Sequence, residues 1–235
     1  MANVSDVKML YDELKHMTST LSTHNSNKLN GEPDEEFDET IMDEICAPTE
    51  SKSDQKYYIV LDLETTKYRD IIQVAYTIYD ESFNALKKVD NLVNEGIGKV
   101  DYYQKFTLED IYTHGKHPYE VLDELRNDMM FGTHLVCHNI SFDAKLIYKY
   151  FDTYNIHLSK RPIEICTMKL SKTMCDFKDV RGRIKAPKLS ELYVFCFNEE
   201  PDENKTHTAD YDIAITAKCF QYLMTNDFID ISKCK

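Results

Sequence analysis

The sequence predicts a mixed α/β sheet flanked by helices, carried behind an N-terminal extension. Three observations predict it. Three short apolar, β-branched runs follow one another between residues 57 and 92. Strand-like and helix-like segments then alternate to the end of the chain. The composition changes abruptly near residue 54, from polar and acidic to core-forming.

In chain order, Val7, Leu10, Tyr11, Leu14, Met17 and Leu21 recur at helical spacing. They predict an amphipathic helix over 5–21 that packs on the domain, self-associates or docks a protein partner. Residues 22–54 are polar and acidic, with Pro33 and Pro48, and read as a flexible linker. Residues 55–235 form the folded domain. Tyr57–Leu61 and Ile71–Tyr79 read as strands, and a turn at Asp80, Glu81 and Ser82 leads to a third, Ala85–Leu92. These three predict an antiparallel meander. Leu108–Tyr112 and Pro118–Met130 read as helices, the second closed by Gly132. Thr133–Cys137 is a fourth strand. Phe142–Phe151, Ile163–Met174, Leu189–Phe197 and Ala209–Met224 read as helical.

The net charge of −13 argues at first against a nucleic-acid partner. Its distribution weakens that argument. Residues 31–54 hold ten acidic residues against one lysine, and residues 1–30 balance, leaving −4 for 55–235. Seven cysteines stand at 46, 137, 166, 175, 196, 219 and 234, without a C-x-x-C pair. They read as buried thiols in a reducing compartment, not as a zinc ribbon or a disulfide frame. No apolar run is long enough to span a bilayer, and the first residues lack the pattern of a secretory signal. A cytoplasmic or nuclear protein, not a secreted or membrane one, is expected.

Three polar constellations follow the strands. Asp62-Leu63-Glu64-Thr65-Thr66 directly follows the first. In extended chain alternate residues share a face, so Asp62 and Glu64 project together while Leu63 faces away. Two convergent carboxylates suit a hard, oxygen-liganded cation. His138-Asn139-Ile140-Ser141-Phe142-Asp143 follows the fourth strand, at a strand-to-helix junction of the kind that hosts ligands in open α/β sheets. His207-Thr208-Ala209-Asp210-Tyr211-Asp212 opens the last long helix. Taken singly, each has a plainer reading: a solvated strand end, a partner for a helix dipole, a histidine in a loop.

Taken together, their order, spacing and context resemble the DnaQ-like, or DEDDh, exonuclease superfamily over about residues 56–225. Asp62, Glu64, Thr65 and Thr66 match its first motif. His138, Asn139, Phe142 and Asp143 match its second, and His207, Ala209 and Asp212 its third. Ile165-Cys166-Thr167-Met168 and Lys188-Leu189-Ser190-Glu191-Leu192-Tyr193 resemble two intervening helix starts, with Cys166 where the family has Asp. The chain departs from the pattern at Lys67, where the family commonly has Gly, and at Gln73, where it often has Glu.

The resemblance implies a ribonuclease H-like mixed five-stranded sheet and a 3′–5′ exonuclease that releases nucleoside 5′-monophosphates, DNA favoured. It implies two divalent cations, Mg²⁺ or Mn²⁺: one held by Asp62, Glu64 and Asp212, the second by Asp62 and the scissile phosphate with help from Asp143. Such ions, about 3.5–4 Å apart, stabilise the attacking and leaving oxygens of an in-line displacement. His207 would be the general base, since an imidazole titrates near neutrality; a tyrosine in this role is the family's other variant, but Tyr211 stands one residue before Asp212 and His207 is the better match. The same resemblance places the 3′-terminal nucleotide beside Thr65 and Thr66, with Leu63, Phe142, His138 and Asn139 lining its pocket.

Beyond the motifs, residues 178–188 carry Lys178, Arg181, Arg183, Lys185 and Lys188 against Asp179. That is either a contact for the phosphate backbone of a strand, single-stranded nucleic acid being favoured, or an ordinary solvated loop. Tyr102, Tyr103 and Phe106 can stack bases or pack in the core. His114-Gly115-Lys116-His117 has no cysteine or carboxylate at ligand spacing and reads as a surface turn. The rival functions are an exoribonuclease and a silent nucleic-acid-binding or scaffold module. A missing carboxylate would favour the module, and none is missing. The sequence leaves the oligomeric state open.

Overall fold

The computed structural model describes residues 55–101, 105–202, 205 and 208–234. The helix over 5–21 and the linker over 22–54 lie outside the described residues, as do Tyr102, Tyr103 and His207. The sheet is built from β1 (Tyr58–Thr65), β2 (Ile71–Tyr79), β3 (Ala85–Leu92), β4 (His134–Cys137) and β5 (Ile163–Cys166). The helices are α1 (Leu108–His114), α2 (Pro118–Phe131), α3 (Ile140–Thr153), α4 (Thr167–Cys175), α5 (Leu189–Phe197) and α6 (Ala209–Thr225).

Strand order is β3-β2-β1-β4-β5. The first three strands pair antiparallel, while β1–β4 and β4–β5 are parallel. The meander turns at Asp80, whose carboxylate accepts the backbone N–H of Ser82 (2.9 Å) and Asn84 (2.8 Å). β5 corrects the expectation of one helix over Ile163–Met174. Its first four residues pair with β4, His134 opposite Ile163 and Cys137 opposite Cys166, and the helix begins only at Thr167. Ile163 and Ile165 alternate with Glu164 and Cys166, a period of two that sheet pairing exploits and a helix wastes.

β1 decides the layering. Ile59, Leu61 and Leu63 enter the core beneath α2 and α3, whereas Tyr58 and Val60 enter the core beneath α6. The strand is thus buried on both faces, as a central strand with helices on each side of the sheet requires. Gly132 ends α2 where a Cβ would collide with the side chain of Ile59, so the helix and β1 approach as closely as backbone permits.

A charge network around the buried Asp128 fastens α2 to the β2–β3 hairpin. The Tyr76 hydroxyl donates to Asp128, which is 1 % exposed, and Lys87 Nζ lies 2.6 Å from the same carboxylate. Lys87 also pairs with Glu124 at 3.0 Å, and Asn91 donates to Glu124 at 3.2 Å.

Candidate active site

Pairing with β2 carries β1 beyond Leu61, with Asp62 opposite Ala75 and Glu64 opposite Gln73, until a bulge at Glu64/Thr65. Asp62 and Glu64 therefore sit within the strand. By alternation they continue the Tyr58–Val60 face, the side covered by α6. Asp212 lies in the first turn of that helix. Ligand oxygens of Asp62, Glu64 and Asp212 all fall within 4.8 Å of one another. Asp210 turns away to an ion pair with Lys88 on β3, so the two acids of this turn are separated by direction.

Asp143 arrives from the opposite layer, in the first turn of α3, and is buried. Burial pushes its carboxyl up to about 7; the N–H groups of Asp143 itself and of Leu63 oppose the shift, and Glu64 adds to it. Burial likewise holds Asp62 well above the usual carboxylate range, reinforced by Asp143, Glu64 and Asp212. Every charged neighbour that acts on Asp62 is thus another carboxylate. Four such groups converging from β1, α3 and α6 repel one another. A hard divalent cation is the partner that relieves this, and all-oxygen ligation suits Mg²⁺ or Mn²⁺. The donor set fits the divalent ions that the family resemblance implies.

The remaining expected site residues occupy varied positions. The Leu63 side chain is in the core; its contact with the site is its backbone N–H on Asp143. Phe142 is half-buried and packs on the same core, and Asn139 is exposed at the start of α3 with no side-chain capping bond. His138 has both ring nitrogens engaged: Nδ1 lies 3.0 Å from Thr167 Oγ1 and Nε2 lies 3.1 Å from the carbonyl of Pro187. A carbonyl only accepts, so the proton sits on Nε2 and Nδ1 accepts from the threonine. Burial lowers the histidine's proton affinity, which keeps it neutral in this role. His138 is a clamp between β4 and the basic segment.

Thr65 lies at the bulge, partly exposed, whereas Thr66 is buried and organises the turn that follows. Its hydroxyl donates to Asp70 Oδ2 at 2.7 Å and accepts the N–H groups of Tyr68 and Asp70, each at 3.2 Å. Asp70 was not singled out from the sequence. The short Thr-x-x-x-Asp spacing is the signal that marks it. Thr66→Val preserves shape and removes this hydroxyl, and is expected to lower stability by about 2 kcal/mol in denaturant unfolding. An unchanged midpoint would show that the turn holds itself. Gln73, opposite Glu64, is buried and donates to Asp90 at 2.6 Å.

The basic segment forms a small hairpin, bridged at Lys178 and Ile184, with Gly182 at φ +74°. Arg183 is spent on Asp179 at 2.8 Å and Lys185 on Glu191 at 2.5 Å. Arg181 and Lys188 donate their backbone N–H groups to Asp179 and Glu191, each at 2.8 Å, and among the described residues their exposed side chains form no ion pair. Tyr211 accepts the N–H of Asp202 at 2.8 Å, and Phe106 packs against Ile72, Ile97 and Ile111. His117 caps α2 through Nδ1 on the N–H of Tyr119. Among the described residues, no helix is long and apolar enough to cross a membrane.

Comparison with known proteins gives concordant results. An exonuclease family model, that of the RNase T type, matches residues 59–220. No curated protein sequence matches significantly. Among solved structures, E. coli exonuclease I in complex with a dA16 oligonucleotide superposes with a TM-score of 0.58 at 14% identity, over 73% of this chain and 41% of that one. The same enzyme with a 5cy-dA13 oligonucleotide gives 0.56 at 14% identity, over 74% and 42%. An ExoI/SSB-Ct complex gives 0.53 at 14% identity, over 75% and 46%. The match thus spans less than half of those chains, and at this identity it speaks to fold. Fold, motif order and family model agree: the chain belongs to the RNase T-type exonuclease family, within the DnaQ-like superfamily of nucleases.

Proposed function

We propose that residues 55–235 form a metal-dependent 3′–5′ exonuclease that hydrolyses phosphodiester bonds from the 3′ end of nucleic acid, DNA favoured, and releases nucleoside 5′-monophosphates. The observation that carries this reading is the convergence of Asp62, Glu64 and Asp212 within 4.8 Å, with Asp143 acting on the same centre. Oligonucleotides bound to E. coli exonuclease I support a nucleic-acid substrate.

Two divalent cations held by Asp62, Glu64, Asp212 and Asp143 would supply Lewis-acid chemistry and charge neutralisation at the phosphate. The chain's own residues do the rest. The N–H of Leu63 and the start of α3 fix the Asp143 carboxylate. The first turn of α6 fixes Asp212 relative to β1. His207, five residues before Asp212, takes a proton from the attacking water at a ring nitrogen, help worth roughly 10²–10⁴-fold. Thr65 and the exposed Asn139 face the terminal nucleotide.

The test is incubation of full-length protein with 3′-end-labelled single- and double-stranded DNA and RNA, with Mg²⁺ or Mn²⁺. Mononucleotides should accumulate from wild type and not from Asp62→Ala. A folded wild type that degrades none of these strands would sink the enzyme in favour of a silent binding module. Degradation of RNA alone would reassign the substrate.

A further inference from the structure

A groove of about 450 Å³ runs along the side of α3 that faces away from Asp143. Ile140 and Ser141 line its upper end, in the same helical turn as Asp143, and Asp152 lines its lower end. Its other wall is the edge of β5, through Glu164, and the approach to that strand, through Arg161. The face follows from helix geometry: Ser141, Lys145, Tyr148, Lys149 and Asp152 share one stripe, and Asp143 projects about 160–200° from most of it.

The charges along the groove are ordered. At the top, Lys169 of α4 places Nζ 2.5 Å from Ser141 Oγ. Next come the exposed Lys145 and Lys149, one helical turn apart and about 6 Å along the axis. Across from them the Arg161 guanidinium lies 3.9 Å from the centre of the Tyr148 ring, which leaves its N–H edge outward. Lys145, Lys149 and Arg161 hold no carboxylate within ion-pair distance among the described residues. Glu164, on the β5 wall, lies close enough to raise the proton affinity of the Tyr148 hydroxyl. Four cations against two acids is a reversal of sign in a chain of net charge −13.

The saddle between this groove and the carboxylate centre is the N-terminus of α3. Asn139 caps it without a side-chain hydrogen bond, and a 14-residue helix presents a favourable pole to an anion there. Anion-favouring groups therefore run continuously from the active centre over the start of α3 and down the groove, ending at Asp152. The hairpin is the poorer track, since Arg183 and Lys185 are already spent on Asp179 and Glu191.

We propose that this groove holds the phosphodiester backbone of the substrate strand upstream of its 3′ end, with Lys169, Lys145, Lys149 and Arg161 as successive phosphate contacts. The inference rests on the nuclease reading above. It makes the enzyme prefer strands long enough to cross the saddle, and it makes Asp152 the end stop.

The experiment compares the wild-type chain, Lys145→Ala/Lys149→Ala/Arg161→Ala and Asp152→Lys on oligothymidylates of about three nucleotides, below the span that single-strand sites cover, and about twelve, within it. A parallel oligouridylate arm separates DNA from RNA, and the strand the enzyme degrades is the one scored. The ratio of kcat/KM for long over short strands should fall about tenfold in the triple variant. Its binding of the long strand should show a salt slope shallower by about 2, since each phosphate contact on single strands contributes about 0.7. Asp152→Lys should raise the long-strand preference severalfold, a gain that misfolding cannot imitate. An unchanged ratio and slope in the triple variant, or no gain in Asp152→Lys, overturns the proposal while leaving the nuclease reading intact. So does a glutamate-rich peptide whose binding is lost in the triple variant while strand binding is kept. Wild type that cleaves neither length overturns the nuclease reading itself.

Discussion

Asp62→Asn is expected to lower phosphodiester hydrolysis by about 10³-fold or more at saturating Mg²⁺, measured as mononucleotide release from a 3′-labelled strand. The substitution keeps the size of the side chain and removes its charge. The three other carboxylates all act on Asp62, from β1, α3 and α6 at once. Losing its charge weakens every cation position that the cluster offers. The metal-free protein should respond in the opposite sense. Desolvation and three like charges oppose ionisation of Asp62, so the amide relieves repulsion and should raise the melting temperature in chelator. Added Mg²⁺ should stabilise wild type, because a ligand that binds only the folded state adds to stability, and should stabilise Asp62→Asn much less. Near-normal turnover in Asp62→Asn, or equal Mg²⁺ stabilisation of both proteins, would contradict the assignment of this centre.

Lys87→Ala is expected to lower folding stability by about 3 kcal/mol, the cost of stranding a buried charge, with a drop in melting temperature of roughly 6–12 °C. Asp128 is buried, and Lys87 pairs with it at 2.6 Å. Without the lysine the Tyr76 hydroxyl remains on the carboxylate, and a hydroxyl does not supply a counter-charge. Lys87→Ala/Asp128→Leu should recover much of the loss, because replacing both partners with apolar groups removes the desolvation problem. Recovery in the double variant and its absence in Lys87→Ala/Tyr76→Phe would separate charge pairing from packing. The network lies on the α2 side of the sheet, so the protein that remains folded should keep its nuclease turnover.

The legible parts of this protein are those that depend on local period. The first four strands were readable because β-branched runs ended at clear turns, and the common face of Asp62 and Glu64 followed from alternation alone. β5 was not readable: four residues run straight into α4, and only the long-range pairing of His134 with Ile163 turns them into a strand. At the site, Asp212 came from the family motif, and geometry sets the neighbouring Asp210 apart through its ion pair with Lys88 on β3. The hydrogen-bond partners of His138 and Thr66, Pro187 some fifty residues downstream and Asp70 across a turn, depend on how the chain returns upon itself. No spacing rule carries that information.

The double burial of β1 has a consequence for which changes the gene can tolerate. Its odd and even positions serve different cores, and Asp62 and Glu64 inherit their direction from the same alternation. A single codon inserted or deleted between Tyr58 and Leu61 would therefore exchange the two cores and turn both carboxylates toward α2 and α3 in one event. Point substitutions along β1 can be absorbed one at a time. Length changes there cannot, so this strand should keep a fixed length across its descendants, while the turn at Asp80–Asn84 is free to grow or shrink.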